Sequence, residues 1–256
     1  MSKSIFFASD FHLGVDALTT STEREKKIVK WMDDISDKVE ELYLVGDVFD
    51  HWFEYKKAVP KGFVRLFGKL AEFRDADIPV YFFTGNHDMW MFRYFEDEFG
   101  IPIYRSPVEK IIKNKSFFIG HGDGLGPADK GYKFIKSIFN NKICQNAFGM
   151  IHPNIGLSIM QYFSVKSRQY TGDEEPFGIP SNEWLVQFAE DYIQKKEVDF
   201  FIFGHRHLPV NYLLSNGKSR YFNLGEWMYA CSYGEWDGVD FKIKFYESSL
   251  NTVYGI

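Results

Sequence analysis

The chain has 256 residues, of which 45% are hydrophobic and 25% charged, so its length suits one large domain or two small ones with a sizeable core. A net charge of −5 at pH 7 argues against a dedicated nucleic-acid-binding protein, and Cys144 and Cys231 alone predict no disulfide framework and a reducing compartment. The opening residues MSKSIFFASD become polar too soon for a signal peptide, and no run approaches 18 apolar residues, so we expect neither a signal peptide nor a membrane span.

Five short runs of β-branched or aromatic residues predict strands, and each ends in polar residues that can bind metal. In chain order these are SIFFAS before Asp10 and His12, ELYLV before Asp47 and Asp50, IPVYFFT before Asn86, His87 and Asp88, SFFI before His121 and Asp123, and DFFIF before His205 and His207. Helices are predicted between most of them, at 22–35, 61–73 and 181–195. Apolar strands that alternate with helices predict a buried α/β sheet, in which ligands collect beyond the carboxyl ends of the strands.

The C-terminal part of the chain predicts further strands. The stretch VNYLLSNGKSRYFNLGEW has the pattern of a hairpin around Asn216-Gly217, and GVDFKIKFYES has that of another strand. We expect these strands to extend a second sheet.

The polar residues at the strand ends are carboxylate, amide and imidazole donors, with no thiolate. Such donors are more typical of a site for Mn, Fe, Zn or Co ions than of a structural zinc site. The candidate ligands are Asp10, His12, Asp47, Asn86, His121, His205 and His207. One divalent ion takes about four to six ligands, so seven suit two ions with a bridging carboxylate, the arrangement that hydrolyses phosphoesters.

His205 and His207 stand two residues apart after an apolar strand, and in an extended chain their side chains face one common space. Two solvated loop histidines are the alternative for an isolated H-x-H. A glycine directly precedes four of the candidate ligands, which fits a backbone that turns sharply beside a crowded cluster. Arg206, between the two histidines, has no role in this interpretation.

The motifs D-x-H, G-D-x-x-D, G-N-H-D, H-G-D and G-H-x-H occur in this order between about residues 10 and 207. In the residues of these motifs and in the order of the motifs along the chain, the sequence resembles the calcineurin-like metallophosphoesterases. The resemblance implies an α/β fold, a two-sheet sandwich flanked by helices, with residues 1–256 as a single domain. Each motif alone is weak, but five in order, each after a predicted strand, are specific.

The resemblance also implies a role for each motif residue. One metal ion would be held by Asp10, His12, Asp47 and His207, and a second by Asp47, Asn86, His121 and His205. Manganese is the expected metal, with Fe, Zn or Co as alternatives. His87 would face the substrate phosphate and stabilise the transition state or protonate the leaving oxygen. Asp50 and Asp88 would orient ligands, and a purely structural role is the alternative. His51 and His152 are not expected to bind metal.

Between the fourth and fifth predicted strands lies an insertion at about 125–180, which we expect to form a helical cap. Within 127–170, six Lys and Arg residues oppose one Asp, and many apolar residues are interspersed. Such a segment could take an anionic head group with its lysines and acyl chains with its apolar face. An ordinary helical subdomain with snorkelling lysines is the alternative.

A closer resemblance is to the UDP-2,3-diacylglucosamine pyrophosphohydrolase family, on the motifs above, on Asp129-x-x-Tyr132 and on SVKSR near the end of the insertion. It implies a manganese enzyme of lipid A synthesis that releases UMP and 2,3-diacylglucosamine 1-phosphate from a lipid-linked UDP-sugar. It also implies a cytoplasmic protein peripheral on the inner face of the inner membrane. The implied substrate-binding residues are Asn86, His87, Asp129, Lys166, Ser167 and Arg168.

The chain departs from the best-known branch of that family at two positions. His87 stands where that branch has Arg, and Gly124 follows H-G-D where that branch has Thr.

Other substrates therefore stay open, namely another phosphodiester, a nucleotide or a dinucleoside polyphosphate. A non-catalytic binding scaffold is less favoured because such proteins lose ligands, and a protein phosphatase because a capped site is not an open cleft. The sequence does not set the oligomeric state.

Overall fold

In the computed structural model, which describes residues 3–126, 130–171, 178 and 180–255, two mixed sheets pack face to face. In spatial order, the first sheet contains β11 (Phe241–Phe245), β10 (Ser232–Trp236), β1 (Ser4–Ala8), β2 (Val39–Val45), β3 (Val80–Phe83) and β4 (Ile103–Tyr104). The second contains β5 (Val108–Ile112), β6 (Lys115–Ile119), β7 (Phe200–Phe203), β9 (Arg220–Leu224) and β8 (Pro209–Leu213). The helices are α1 (Ser21–Ile35), α2 (Val64–Asp75), α3 (Tyr94–Phe99), α4 (Lys130–Phe139), α5 (Lys142–Gly149), α6 (Pro153–Thr171) and α7 (Trp184–Ile193), with a 3-10 turn at Pro180–Asn182.

The layer order helix, sheet, sheet, helix explains why the strands are apolar on both faces. In β1, Phe6 contacts Trp31 of α1 edge to face, with ring centroids 6.4 Å apart. Phe7 points the other way and stacks on Phe117 of the second sheet at 6.1 Å. On the outer side of the second sheet, Phe118 belongs to the core cluster that includes α7. The predicted two-sheet α/β sandwich flanked by helices is confirmed.

The three predicted helices all form, with small changes at their ends. The first begins one residue early, at Ser21, where Thr20 and Glu23 make a reciprocal capping box. The second begins at Val64 rather than 61, because Phe63 before it has a left-handed φ of 57° and cannot belong to the helix. The third begins at Trp184, after the 3-10 turn.

The C-terminal strands divide between the two sheets. The hairpin around Asn216-Gly217 is confirmed, since β8 and β9 pair antiparallel in the second sheet. The prediction that the last strand extends this sheet is wrong, because β11 pairs with β10 at the edge of the first sheet. The turn between them, in which Asp237 Oδ1 accepts bonds from Val239 N and Asp240 N at 2.8 Å, folds β11 directly back onto β10.

Three helices, α4, α5 and α6, lie in the region where the sequence predicts a cap. They join the core through aromatic contacts, in which Phe148 packs on Trp90 at 4.7 Å and on Phe53 at 4.9 Å. This region exposes large apolar side chains, including Ile143 (77%) on α5 and Met150 (84%) directly after it. Among the described helices, none has both the length and the apolar character needed to cross a membrane.

Candidate metal centre

The five predicted strands end at the same edge of the sandwich. In the first sheet β1, β2 and β3 run parallel, and in the second sheet β6 and β7 run parallel. The loops that leave their carboxyl ends therefore meet where the two sheets face each other. All seven candidate ligands lie on these loops.

One group of donors is formed by Asp10, His12 and His207. His207 Nε2 lies 3.2 Å from Asp10 Oδ1 and 3.0 Å from His12 Nε2. Asp10 and His12 are buried, whereas the side chain of His207 retains 22% exposure. Atoms bound to one ion at about 2.1 Å lie about 3 to 3.5 Å apart, so these distances suit a common ion.

A second group is formed by Asp47, His121 and His205, with the amide of Asn86 between them. His121 Nε2 lies 3.2 Å from both Asp47 Oδ2 and Asn86 Oδ1. Asn86 Oδ1 is in turn 2.8 Å from His205 Nδ1. Asp47 Oδ2 also lies 3.9 Å from His12 Nε2, so one carboxylate oxygen faces both groups.

The donors fit a pair of divalent cations. Asp10 Oδ1 is buried and accepts no hydrogen bond from the described residues, although His207 Nε2 lies 3.2 Å away, and this state is costly for a carboxylate oxygen unless a cation faces it. The donors are hard or borderline oxygen and nitrogen atoms, which suit Mn, Fe, Zn or Co. The structure thus brings together all seven residues that the sequence selects, in two groups that share Asp47.

The backbone at the site is strained in a way that the sequence did not signal. Five of the seven donors have a left-handed φ, a conformation that costs about 1–2 kcal/mol for a residue with a side chain. They are Asp10 (56°), His12 (45°), Asp47 (51°), His205 (70°) and His207 (52°). The segment after β7 is therefore not extended, and the same-face argument for His205 and His207 does not apply. The two imidazoles point into different donor groups.

The glycines before the ligands are needed for space more than for turns. Only Gly46 among the four has a left-handed φ, of 86°. A Cβ atom at Gly85 would overlap Asp47 Oδ1, and one at Gly204 would overlap Asp10 Oδ2. The glycines thus let neighbouring loops approach until their donors are within reach of one ion.

Ion pairing inside the cluster shifts the histidine pKa values in opposite directions. Burial lowers the pKa of His121, but the Asp47 carboxylate 3.2 Å away raises it more, to about 10. Burial and the adjacent charge of His121 lower the pKa of His205 to about 4. Without metal, a proton on His121 partly offsets the carboxylates, and a cation would take its place.

His87 lies beside the donor groups and not in the middle of either. Its backbone N–H donates to Asp47 Oδ1 at 2.8 Å, and its Nδ1 lies 2.9 Å from the carbonyl oxygen of Asp50. Burial lowers its pKa. One of its ring nitrogens also lies within 4.8 Å of donor atoms of His12 and Asp47, a third possible donor group that the sequence interpretation does not include.

Asp50 and Asp88 contact the residues that carry the donors. Asp50 Oδ1 lies 3.4 Å from Nδ1 of His12, a distance at which the carboxylate can pair with that imidazole. Asp88 accepts from the backbone N–H groups of Val48 and Gly85 at 2.8 and 2.7 Å, which ties the loop after β2 to the loop after β3.

Three other contacts were not foreseen from the sequence. Arg206 makes a two-point ion pair with Glu183, the N-cap residue of α7, at 3.0 and 2.9 Å. The buried Asn223 donates to the carbonyl oxygen of Gly204 and so supports the same loop. Ser164 of α6 donates to Asp50 Oδ2 at 2.8 Å, which joins α6 to the site. Partners that lie 19 to 114 residues apart leave no local pattern in the sequence.

The predicted substrate-binding residues are only partly described. Lys166 is exposed on α6, with its Nζ 5.9 Å from the ring of Tyr162. Asp129 and the side chains of Ser167 and Arg168 lie outside the described residues. His51 and His152, which the sequence excludes as ligands, fall in none of the donor groups found among the described residues.

A family model for calcineurin-like phosphoesterases matches residues 3–209. The chain is a calcineurin-like phosphoesterase. The phosphoesterase is 34% identical to a UDP-2,3-diacylglucosamine hydrolase of Porphyromonas gingivalis, over 96% of this chain and 99% of that protein. It is 29% identical to a protein of the same name from Hamiltonella defensa, over 81% of this chain and 78% of that protein. A hypothetical protein from Pyrococcus horikoshii shares the fold of the phosphoesterase, with a TM-score of 0.51, 11% identity and coverage of 97% of this chain and 88% of that one.

Proposed function

We propose that this phosphoesterase hydrolyses the pyrophosphate bond of UDP-2,3-diacylglucosamine to UMP and 2,3-diacylglucosamine 1-phosphate in lipid A biosynthesis. The observation that carries the proposal is the near end-to-end similarity to the Porphyromonas gingivalis hydrolase, at 34% identity. The two donor groups that share Asp47 support it, because they suit a dinuclear phosphoester hydrolase. In this proposal residues 1–256 form one catalytic unit and the insertion at 125–180 is its cap.

We assign the donors to two ions, with manganese as the metal. One ion is held by Asp10, His12, Asp47 and His207, and the other by Asp47, Asn86, His121 and His205. The contact distances, 3.0–3.9 Å in the first set and 2.8–3.2 Å in the second, support this division. When bound, such ions supply a water nucleophile at neutral pH and offset charge on the phosphoryl group.

The protein residues position and neutralise the reacting groups. The water oxygen forms a bond to phosphorus, the bridging P–O bond breaks, and the bridging oxygen leaves with the other phosphate. His87 stands beside the donors with its Nδ1 fixed by the carbonyl oxygen of Asp50, and its other ring nitrogen can face the substrate. Burial lowers the pKa of the His87 imidazole against the opposing effect of the Asp47 carboxylate, and the negative charge of a bound phosphate would raise it again, so that the protonated ring would stabilise the transition state or protonate the leaving oxygen.

The cap supplies the proposed site for the lipid part of the substrate. Asn86, His87, Asp129, Lys166, Ser167 and Arg168 would bind the phosphate and sugar region. Within 130–171 the chain has six Lys and Arg residues and no Asp or Glu. The exposed apolar side chains of α5 and α6, such as Ile155 (57%) and Phe163 (62%), would contact acyl chains or a membrane surface. We therefore propose a peripheral position on the inner face of the inner membrane.

The proposal is tested by incubating the purified protein with Mn(II) and UDP-2,3-diacylglucosamine and measuring UMP. We expect UMP and the lipid phosphate in equal amounts, and none from an Asp47→Ala variant. A small chromogenic phosphodiester serves as the comparison substrate. Turnover of that compound, with no UMP from the lipid substrate, would show a phosphoesterase of different specificity and overturn the proposed substrate.

A further inference from the structure

The loop after β1 holds two donors of one group in an unfavourable backbone conformation. Asp10 and His12 have φ angles of 56° and 45°. Their N–H groups are satisfied by the loop after β2, since Asp10 N donates to Gly46 O and His12 N to Asp47 O, both at 3.0 Å. Strained residues of this kind persist only when the surrounding structure fixes them. We therefore expect the backbone carbonyl groups of the same loop to be fixed by hydrogen bonds as well.

One buried side chain holds three of those carbonyl groups. Arg24, on the first turns of α1, is 2% exposed. Its Nε donates to Phe11 O at 2.8 Å, and its Nη2 donates to His12 O at 2.7 Å and to Val15 O at 2.6 Å. The guanidinium thus spans the loop from Phe11 to Val15. It bonds directly to the backbone carbonyl of His12, which is one of the candidate metal ligands.

The chemistry of the guanidinium suits this task. Its donors form a rigid planar fork, so carbonyl groups bonded to Nε and Nη2 are fixed relative to each other. Burying a cation is costly unless it is well bonded, and three short bonds to carbonyl oxygens meet that requirement here. A lysine in its place would keep the charge but not the fixed spacing.

We propose that Arg24 is a positioning residue for metal binding, which holds the His12 imidazole where the ion shared with Asp10 and His207 requires it. The inference rests on the two-ion assignment given above. The bonds of Arg24 to Phe11 O, His12 O and Val15 O all hold the loop that carries Asp10 and His12, so its loss should weaken the ion of that group more than the other. Outer residues that orient metal ligands typically change affinity about 10- to 100-fold.

The test is a titration of metal-free, full-length protein with MnCl2, followed by calorimetry and by the electron paramagnetic resonance of free Mn(II). The wild type should bind two ions. In Arg24→Lys we expect one ion to keep its affinity and the other to lose about 10- to 100-fold. The same titration in a His12→Ala background should show no further loss from Arg24→Lys, since both changes act on one ligand.

The neighbouring residue provides a matched control. Glu25 is also buried on α1, but its carboxylate accepts from Arg65 N and Leu66 N at 2.8 and 3.1 Å and so caps α2, away from the donors. Glu25→Gln should lower the melting temperature and leave both ions bound as in the wild type. If Arg24→Lys does not fold, as judged by circular dichroism, Arg24→Gln is titrated in its place.

Two kinds of result would overturn the inference, and they are distinguishable. Two ions bound with wild-type affinity in the Arg24 variant, or equal weakening of both ions, would remove the positioning role alone. The same one-ion loss in Glu25→Gln would reduce the effect to general destabilisation. Fewer than two ions in the wild type would overturn the proposed dinuclear function itself, together with this inference.

Discussion

His12 Nε2 and His207 Nε2 lie 3.0 Å apart, although 195 residues separate them in the chain. Two imidazole lone pairs at this distance repel each other, so a proton or a cation must lie between the rings. Asp10 Oδ1, 3.2 Å from His207 Nε2, places a carboxylate oxygen beside the two imidazoles. The geometry of this pair therefore suits a shared proton or a bound cation, and protons and metal ions would compete for it.

Metal binding should release protons. Burial lowers the pKa of His121 and Asp47 raises it more, to about 10, so His121 is protonated at pH 7.5 in the metal-free protein. A bound cation requires the neutral imidazole, so Mn(II) affinity should decrease as the pH falls below about 10. Calorimetry at pH 7.5 in buffers of different ionisation enthalpy measures the protons released. Equal heats in all buffers would contradict this prediction.

Asp47→Ala should lower both metal content and turnover. The carboxylate oxygen faces both donor groups, so its loss removes a ligand from each ion. We expect less than two ions per chain by elemental analysis and a fall in turnover beyond the about 100-fold that outer residues cause. Asp37→Ala, at an exposed position, is the control. Two ions and near-normal turnover in Asp47→Ala would rule out the bridging role.

His87→Ala should separate catalysis from metal binding. If His87 faces the phosphate, its loss lowers kcat by about 10²- to 10⁴-fold while two ions stay bound. The exposed His152→Ala serves as the control for loss of an imidazole. Because a ring nitrogen of His87 also lies near His12 and Asp47, a loss of metal in the variant would instead identify it as a ligand.

Gly85→Ala should disrupt the site by steric overlap alone. The added Cβ atom would collide with Asp47 Oδ1, so we expect weaker metal binding without any change in the donor set. Gly68→Ala is the matched control, since no atom lies within 4 Å of its added Cβ on α2. There alanine should stabilise the helix by up to about 1 kcal/mol. Wild-type metal affinity in Gly85→Ala would refute the steric explanation.

Removing the charges of Lys166 and Arg168 should affect the lipid substrate selectively. The double variant to glutamine is expected to raise KM for UDP-2,3-diacylglucosamine about tenfold, as loss of a charge-assisted hydrogen bond does. Hydrolysis of a small chromogenic phosphodiester should change little. Lys218→Gln, in the exposed β8–β9 turn, controls for net charge. Equal losses on both substrates would argue against a role of the cap in recognition.

Arg206 shows where local sequence patterns stop being informative. The spacing of His205 and His207 identifies two donors, but nothing nearby indicates that Arg206 pairs with Glu183, 23 residues earlier. The prediction that β11 extends the second sheet was likewise wrong, because an apolar run of residues does not specify the strand with which it pairs. Long-range partners depend on the packing of whole elements, which a single sequence does not encode locally.

The sequence by itself determined the types of donor, their order, and their position at the ends of apolar strands, because side-chain chemistry and strand periodicity are local properties. The tertiary structure alone decided which donors share an ion, that five of them adopt a left-handed φ, and that Arg24 secures the loop of His12. Those features arise where two sheets bring distant loops within about 3 Å, the distance at which donor atoms can share one ion. Contacts at that scale are set by packing, and no spacing of residues along the chain specifies them.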